Sequence, residues 1–131
     1  MTLSEIANEL VAGCREGRAK ANLDRLYADD AVSVEAADMG GGRETLGLAG
    51  IHGKHEWWER TMVVHSGSVE GPFLHGDTAF AVIFEMDAES RETGERTQMR
   101  EIAVYHVEND RIVREEFFYG MATDPADDPV E

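Results

Sequence analysis

Residues 97–119 read TQMREIAVYHVENDRIVREEFFY, and this stretch decides the fold. Two runs rich in β-branched and aromatic residues flank Asn109-Asp110, a pair that favours a tight turn, so the stretch predicts a β-hairpin. Apolar residues fall on both alternating faces, with Ile102 on one and Tyr105 on the other. A sheet with one solvated face would show polar residues there. We therefore expect a second copy of the chain to cover the outer face in a homodimer.

The rest of the chain predicts helices first and strands afterwards, which is an α+β architecture. Apolar residues recur at helical spacing over residues 2–20, 22–27 and 52–62. Residues 38–50 hold five of the 13 glycines, a composition that favours a mobile loop. Short turns between consecutive strands make a meander antiparallel. Runs typical of strands cover residues 31–35, 63–70, 73–75, 78–87, 97–108 and 111–119.

Length and charge restrict the class of protein. The 131 residues suffice for one domain, expected over residues 1–120, with an acidic and disordered tail at 121–131. The net charge of −15 argues against a nucleic-acid partner, because clustered Lys and Arg hold phosphates. No apolar run approaches the ~20 residues that cross a membrane. The acidic N-terminus is unlike a secretion signal, and the single Cys14 fits a reducing cytoplasm.

Three strings at fixed places in the chain carry a resemblance to a known superfamily. They are LYADDAVSVE at 26–35, GIHGKHEWWE at 50–59 and EIAVYHVENDRIVREEFFYG at 101–120, with the glycine-rich stretch after the first. Their order resembles the cone-shaped superfamily of nuclear transport factor 2, ketosteroid isomerase and SnoaL-like polyketide cyclases, over about residues 3–120. The resemblance implies a strongly curved, mixed but mostly antiparallel sheet wrapped around N-terminal helices, with a small-molecule pocket inside. It implies no single reaction, because the superfamily includes isomerases, cyclases, dehydratases and non-catalytic binding proteins.

The same resemblance implies candidate catalytic residues. It places the general base of the steroid isomerases at Glu35, but Val11 and Ala103 stand where their two oxyanion donors belong. Without those donors an enolate lacks its usual stabilisation, so a literal steroid isomerase is not expected. The remaining polar groups of the implied pocket are His65, a proton partner, and Glu101. Carboxyl groups that share an apolar cavity raise one another's pKa, so we interpret Glu35, His65 and Glu101 as acid–base residues that act without a cofactor.

The implied pocket wall is mostly aromatic and would suit a small, largely apolar carbonyl compound. In an alternative reading, Glu101 and Glu115 pair with arginines such as Arg100 or Arg114 at a solvated rim. The chain would then be a non-catalytic ligand-binding or dimeric assembly module. The implied ligand-binding residues are Trp57, Trp58, Phe80, Phe84, Tyr105, Glu115, Phe117 and Tyr119.

One helix also carries residue types that can bind zinc. His52, His55, Glu56 and Glu59 fall three or four residues apart, a spacing that brings side chains together on a helix. They lack the H-E-x-x-H order of a metalloprotease helix. We therefore favour a solvated helical face, with no metal.

The turn at Asn109-Asp110 decides which face of the last strand lies inside. A three-residue loop over 108–110 would put Val113, Glu115 and Phe117 inside. A two-residue turn would instead turn Glu116 and Phe118 inward, because side chains alternate with a period of two. The first register agrees with the resemblance and is the one expected.

Overall fold

A computed structural model describes residues 1–38 and 40–120. The expected acidic tail at 121–131 therefore lies outside the described residues. The helices are α1 (Leu3–Glu16), α2 (Ala19–Leu26) and α3 (Leu48–Thr61), and the strands are β1 (Tyr27–Val34), β2 (Glu44–Leu46), β3 (Met62–His75), β4 (Ala79–Ser90), β5 (Arg96–Glu108) and β6 (Arg111–Phe118).

The strands form one open, mixed sheet in the order β2-β1-β6-β5-β4-β3. Strands β3 to β6 make the expected antiparallel meander, and β1 joins it by pairing in parallel with β6. This confirms the α+β class with a mostly antiparallel mixed sheet. No helix in the described part of the chain is long and apolar enough to cross a membrane.

Helix α1 shows why the chain folds locally as it does. Thr2 accepts a hydrogen bond from the backbone N–H of Glu5, and the Glu5 side chain accepts one from the backbone of Thr2, which makes a capping box. Gly17 ends the helix with φ 79°, a left-handed conformation that suits glycine. The helix is therefore shorter than the expected 2–20. Its buried face carries Ile6, Ala7, Leu10 and Val11 against the sheet.

Two expectations about the middle of the chain are wrong. Residues 38–50 are not simply a loop, because β2 pairs with β1 and α3 begins at Leu48. The hairpin between β1 and β2 explains how so many glycines coexist with strand pairing, since the glycines lie mostly in its turn. The strands expected at 63–70 and 73–75 are one strand, β3, with an irregularity between Glu70 and Phe73.

The C-terminal hairpin reaches the expected register by an unexpected route. Asn109 and Asp110 have φ of 51° and 63° and form a two-residue turn, so the three-residue loop is wrong. Val107 then lies opposite Ile112 while His106 lies opposite Arg114, so one residue of β6, Val113, is extra. This β-bulge shifts the alternation by one residue and cancels the effect of the shorter turn.

The bulge turns the expected carboxylate and ring inward. Beyond it Tyr105 lies opposite Glu115 and Ala103 opposite Phe117. Glu115 is 3% exposed and Phe118 is 48% exposed. On the turn side of the bulge Ile112, not Val113, takes the buried position.

The hydrophobic core fills the space between the concave face of the sheet and the helices. Phe80 of β4 stacks on Tyr105 of β5, with ring centroids 4.8 Å apart and an interplanar angle of 16°. At the edge of the sheet, the Arg15 guanidinium of α1 donates to the carbonyl of Val69 on β3 at 2.7 Å. Buried residues of the core include Ile6, Leu10, Leu23, Leu26, Ile51, Phe80, Val82, Ala103, Tyr105 and Ile112.

Candidate functional site

Glu115 is a buried carboxyl group in the middle of β6. Its Oε2 accepts a hydrogen bond from the Ser33 hydroxyl at 2.6 Å, and its Oε1 accepts one from the Tyr27 hydroxyl. Both partners come from β1, which pairs in parallel with β6 and places Ser33 beside Glu115. Burial raises the pKa of Glu115, although the two hydrogen bonds act in the opposite direction.

Lys54 extends this arrangement from helix α3. Its Nζ donates to Ser33 Oγ at 2.8 Å and forms an ion pair with the Glu35 carboxylate. The ammonium also lies 5.4 Å from the centre of the Phe117 ring, within cation–π range. Lys54 faces inward because it follows the fully buried Ile51 by three residues, which places both on one face of the helix.

Glu35 follows the last residue of β1 and has a partner on each oxygen. Lys54 pairs with Oε2, and the Tyr119 hydroxyl donates to Oε1 at 3.0 Å. Burial and the Glu35 carboxylate raise the pKa of Tyr119 to about 12. Glu35 is therefore a carboxylate held by a cation on one side and a phenol on the other.

Glu101 differs from both of these carboxyl groups. Among residues 1–38 and 40–120, no side chain or backbone group makes a hydrogen bond to the carboxyl group of Glu101. Burial, and then the charges of Glu35 and Glu115, raise the pKa of Glu101 to about 7, while Lys54 acts in the opposite direction. A carboxyl group with this pKa can both accept and donate a proton near neutral pH.

These groups form one connected set on the concave side of the sheet, which we name the carboxylate cluster. A continuous line of hydrogen bonds and ion pairs runs from Tyr27 to Tyr119, and the Glu101 carboxyl group has no hydrogen-bond partner in the described part of the chain. The cluster thus combines a titrating carboxyl group with a fixed ammonium group, which is the equipment for general acid–base chemistry. Its members are Tyr27, Ser33, Glu35, Lys54, Glu101, Glu115 and Tyr119.

The structure brings together most of the residues that the sequence singled out. Glu35, Glu101, Glu115 and Tyr119 belong to the cluster, and Phe117 lies under Lys54. Three further predicted residues, Phe80, Phe84 and Tyr105, are in or against the adjoining core.

His65 and the two tryptophans depart from the expected site. His65 is exposed on β3, where its Nε2 hydrogen-bonds Glu89 of β4 at 2.7 Å, so the structure does not bring it to Glu35. Trp57 is 54% exposed, and Trp58 is partly buried. The side chains that hydrogen-bond Glu35 are those of Lys54 and Tyr119.

The alternative pairing of the carboxylates with arginine is wrong. Arg100 pairs with Glu85 at 2.7 Å and Arg114 with Glu116 at 3.2 Å, both on the outer face of the sheet. Arg100 and Arg114 directly precede Glu101 and Glu115 in the sequence, but consecutive residues of a strand point to opposite faces. The inner carboxyl groups therefore find their partners in Lys54 and hydroxyl groups.

The candidate zinc ligands of α3 point to other partners. His52 hydrogen-bonds Asp24 at 2.8 Å, and Lys20 lies 4.0 Å from Glu56 and 3.9 Å from Glu59. Among the residues that the structure describes, no three His, Cys, Asp or Glu side chains are grouped as a metal site.

Sequence reasoning missed three members of the cluster, namely Lys54, Ser33 and Tyr27. A signal for Lys54 was present, because it lies three residues after an apolar residue and four before Trp58, on the face that also carries Ile51. Ser33 and Tyr27 could be found only by knowing that β1 lies beside β6, a pairing between distant parts of the chain.

Two open depressions on the surface lie apart from the cluster. One is lined by residues of β3, β4 and β5 around Met86 and Met99, and the other by residues of β1 and β6 around Val32 and Val113. Neither is lined by a member of the carboxylate cluster. The chemistry of the inner face, and not these depressions, identifies the candidate site.

The fold and the cluster together define a cone-shaped domain with ionisable groups on its concave side. The family model of the SnoaL-like domain matches residues 1–119, so the chain belongs to the SnoaL-like domain family. A comparison with curated proteins finds no match.

Solved structures agree with this membership. A candidate SnoaL-like polyketide cyclase from Mesorhizobium loti is 37% identical, with a TM-score of 0.85 over 91% of this chain and 100% of that chain. A candidate isomerase from Bacillus subtilis is 21% identical, with a TM-score of 0.72 over 89% and 85%. A nuclear transport factor 2-like protein from Burkholderia thailandensis is 15% identical, with a TM-score of 0.78 over 92% of each chain. The last two show the fold alone. The family match over residues 1–119 and the Mesorhizobium loti structure confirm the superfamily expected from the sequence.

Proposed function

We propose that this SnoaL-like protein binds a small, largely apolar carbonyl compound on the concave side of the sheet and moves a proton on it without a cofactor. The observation that carries the proposal is the contrast among three neighbouring carboxyl groups. Glu35 and Glu115 have partners on both oxygens, whereas Glu101 has none in the described chain and a pKa of about 7. A group that exchanges protons with a substrate needs a free oxygen and a pKa near the working pH.

This proposal gives the role of base to Glu101 and a positioning role to Glu35. The sequence alone favoured Glu35 as the base, with His65 as its partner. A carboxylate that already receives an ammonium and a phenol is a weaker base than one that receives neither. Glu35 would instead hold Lys54 and Tyr119 in place, while the partly buried Phe84 and Phe117 would contact the apolar part of the ligand.

The names of two similar proteins are consistent with proton transfer next to a carbonyl group. The Mesorhizobium loti relative is named for polyketide cyclisation and the Bacillus subtilis neighbour for isomerisation. Both reactions can proceed through loss of a proton next to a carbonyl group. The substrate class of this chain is proposed from its own cluster, in which one titrating carboxyl group lies beside apolar rings.

The test uses 2-tetralone, an apolar bicyclic ketone with acidic C–H groups next to its carbonyl. Exchange of those hydrogens for deuterium is followed by NMR of 2-tetralone in the presence of the full-length protein. We expect exchange above the buffer rate, rising with pH through the pKa of Glu101 near 7, because only the carboxylate accepts a proton. Replacement Glu101→Gln should reduce the rate about 100-fold or more.

The matched control is Glu116→Gln, which alters a carboxylate of the same strand that pairs with Arg114 on the outer face. It should leave the exchange rate unchanged. Equal rates in the wild-type protein and Glu101→Gln would refute the role of Glu101. Binding of 2-tetralone without any exchange would favour the alternative of a non-catalytic binding module.

We also propose that the chain forms a homodimer through the outer face of the sheet. An apolar row crosses three strands there, because Ile83 of β4 lies opposite Ile102 of β5, which lies opposite Phe118 of β6. Ile102 is 41% exposed and Phe118 is 48% exposed. Pairs of opposite charge, Arg100 with Glu85 and Arg114 with Glu116, flank this row. An apolar centre with a polar rim is the usual anatomy of a protein interface.

A further inference from the structure

We propose that Lys54 is the oxyanion-binding residue of this site, donating a hydrogen bond from its ammonium group to the substrate oxygen that becomes negative when Glu101 removes a proton. This inference rests on the proposed function and extends it by naming the electrophilic group. Abstraction of a proton next to a carbonyl breaks a C–H bond, and the electron pair moves to the carbonyl oxygen. That enolate oxygen needs a donor or a cation in a site with little water.

The two positions that would supply donors in the resembling steroid isomerases cannot do so here. Val11 is 2% exposed and Ala103 is 0% exposed, and both are part of the hydrophobic core. Neither side chain has a hydrogen-bonding atom. Proton abstraction on this concave face therefore requires a different group to bind the oxyanion.

The hydrogen-bond inventory of Lys54 leaves one donor for a ligand. An ammonium group has three N–H donors and no acceptor. One goes to Ser33 Oγ at 2.8 Å and one to Glu35. Among the described residues, the third has no hydrogen-bond acceptor. The side chain of Lys54 is 28% exposed, so it is not sealed inside the core.

The direction of the neighbouring hydrogen bonds fixes the ammonium in place. Ser33 donates its only hydroxyl proton to Glu115, so its oxygen is left to accept from Lys54. Tyr27 holds the other oxygen of Glu115. Tyr27, Ser33, Glu115 and Glu35 thus act as positioning residues, and a donor that is fixed beforehand needs no reorganisation during the reaction.

Lys54 also stands close enough to Glu101 to act on the same substrate. Its positive charge is one of the influences that lower the pKa of Glu101 against the effect of burial. Phe117, whose ring lies 5.4 Å from the Lys54 Nζ, is on the inner face of β6 next to the strand that carries Glu101. A carbonyl compound bound next to this ring would lie near both the Glu101 carboxyl group and the Lys54 ammonium group.

The test compares an anionic and a neutral probe of nearly the same shape, 4-nitrophenolate and 4-nitroanisole. The phenolate carries its charge on an oxygen attached to an unsaturated carbon, as an enolate does. Dissociation constants are measured by titration above neutral pH in the Glu101→Gln background, where the neutral amide removes the repulsion of Glu101. We expect the phenolate to bind at least about tenfold more tightly than the ether, because a charge-assisted hydrogen bond requires the anion.

Replacement of Lys54 by Met should remove this preference while the affinity for 4-nitroanisole changes less than about twofold, since the neutral ether makes little use of the charge. Lys54→Arg should retain a preference, because it keeps the charge and the donors. The double variant Lys54→Met with Glu35→Gln should behave like Lys54→Met, which excludes an effect of the unpaired Glu35. Thermal unfolding checks that each variant is folded.

A matched control sharpens the result. Lys20→Met removes an exposed lysine of α2 and should leave both affinities unchanged.

The outcomes separate the two proposals. If the ether binds but the phenolate has no advantage, or if that advantage survives Lys54→Met or disappears in Lys20→Met, the role of Lys54 is wrong and the pocket stands. If neither probe binds, both the pocket and the role of Lys54 are wrong.

Discussion

Each face of the C-terminal hairpin carries residues that an ordinary strand would place on the other face. The inner face buries Glu115 at 3% exposure and carries Glu101, whereas the outer face exposes Ile102 at 41% and Phe118 at 48%. In an ordinary half-buried strand the carboxyl groups would be outside and the large apolar side chains inside. A buried carboxyl group costs free energy unless it has partners, and an exposed apolar row is usually covered. Both exceptions are expected if the inner face binds a ligand and the outer face binds a second copy of the chain, as we propose.

The alternation of β6 beyond the bulge at Val113 assigns the two faces, and shifting it by one residue should have the largest effect. One alanine inserted between Arg114 and Glu115 would lie opposite Tyr105, so Glu115 would turn outward and Glu116 and Phe118 would turn inward. We expect loss of the folded state, a cost above about 4 kcal/mol, measured by circular dichroism and thermal unfolding.

The control for this insertion is Val113→Ala, which keeps the register and shortens one partly buried side chain. It should cost about 1 kcal/mol or less. A stable insertion variant with the wild-type melting temperature would contradict the assignment of the faces to the alternation of β6.

The inner face should make stability depend on pH through Glu101. Its folded pKa of about 7 lies above the ordinary value of 4.5, so the folded state binds the proton more tightly than the unfolded state. Stability from this group is therefore present below about pH 4.5 and is lost as the pH rises through about 7, a change of about 3 kcal/mol. Burial raises the pKa of Glu115 in the same direction.

Urea unfolding at the two ends of this pH range measures the effect. Glu101→Gln cannot titrate and should lose this part of the pH dependence. Glu85→Gln, which removes an exposed carboxylate of the outer face, should keep it. If the free energy of unfolding depends on pH as strongly in Glu101→Gln as in the wild-type protein, the Glu101 carboxyl group of the wild type is not shielded from water.

A substitution on the outer face should instead weaken the self-association of the chain. Ile102→Arg places a charge in the middle of the apolar row between Ile83 and Phe118. We expect it to weaken self-association at least about tenfold, because a buried unpaired charge is costly. Sedimentation velocity measures the change, and melting of the isolated monomer should be little affected. A wild-type protein that sediments only as a monomer at micromolar concentration would remove the dimer.

The smallest effect is expected at the polar rim of the outer face. Arg100 and Glu85 lie 2.7 Å apart, but their side chains are 62% and 50% exposed. Solvent screens such a pair, so Arg100→Ala should change the free energy of unfolding by about 0.5 kcal/mol or less. A larger loss, abolished by salt, would mean that the rim is more buried in solution than in the isolated chain.

The sequence could predict the inner and outer sets of the hairpin because strand alternation is a local rule. The predicted three-residue loop is wrong, yet Glu115 was assigned to the correct face, because the shorter turn and the bulge at Val113 cancel. Neither the bulge at Val113 nor the short turn has a strong signal, since the register depends on packing against β1 and the helices.

The candidate site was predictable only in part, for a similar reason. Glu35, Glu101, Glu115 and Tyr119 follow from strand parity and the resemblance. Lys54 has a helical signal that the two adjacent tryptophans hide, and Ser33 depends on the parallel pairing of β1 with β6. Pairings between distant segments are decided by the whole fold, so no local pattern announces them.

The edge of the sheet has a consequence for how the protein survives at high concentration. Strand β3 is 14 residues long, and among the strands that the structure describes it pairs with β4 alone, so its other side could accept a strand from an unfolded chain. Pro72 interrupts the row of N–H donors, and the Arg15 guanidinium occupies the carbonyl of Val69. A single arginine on the first helix thus helps to protect the longest strand of the sheet from amyloid-like growth.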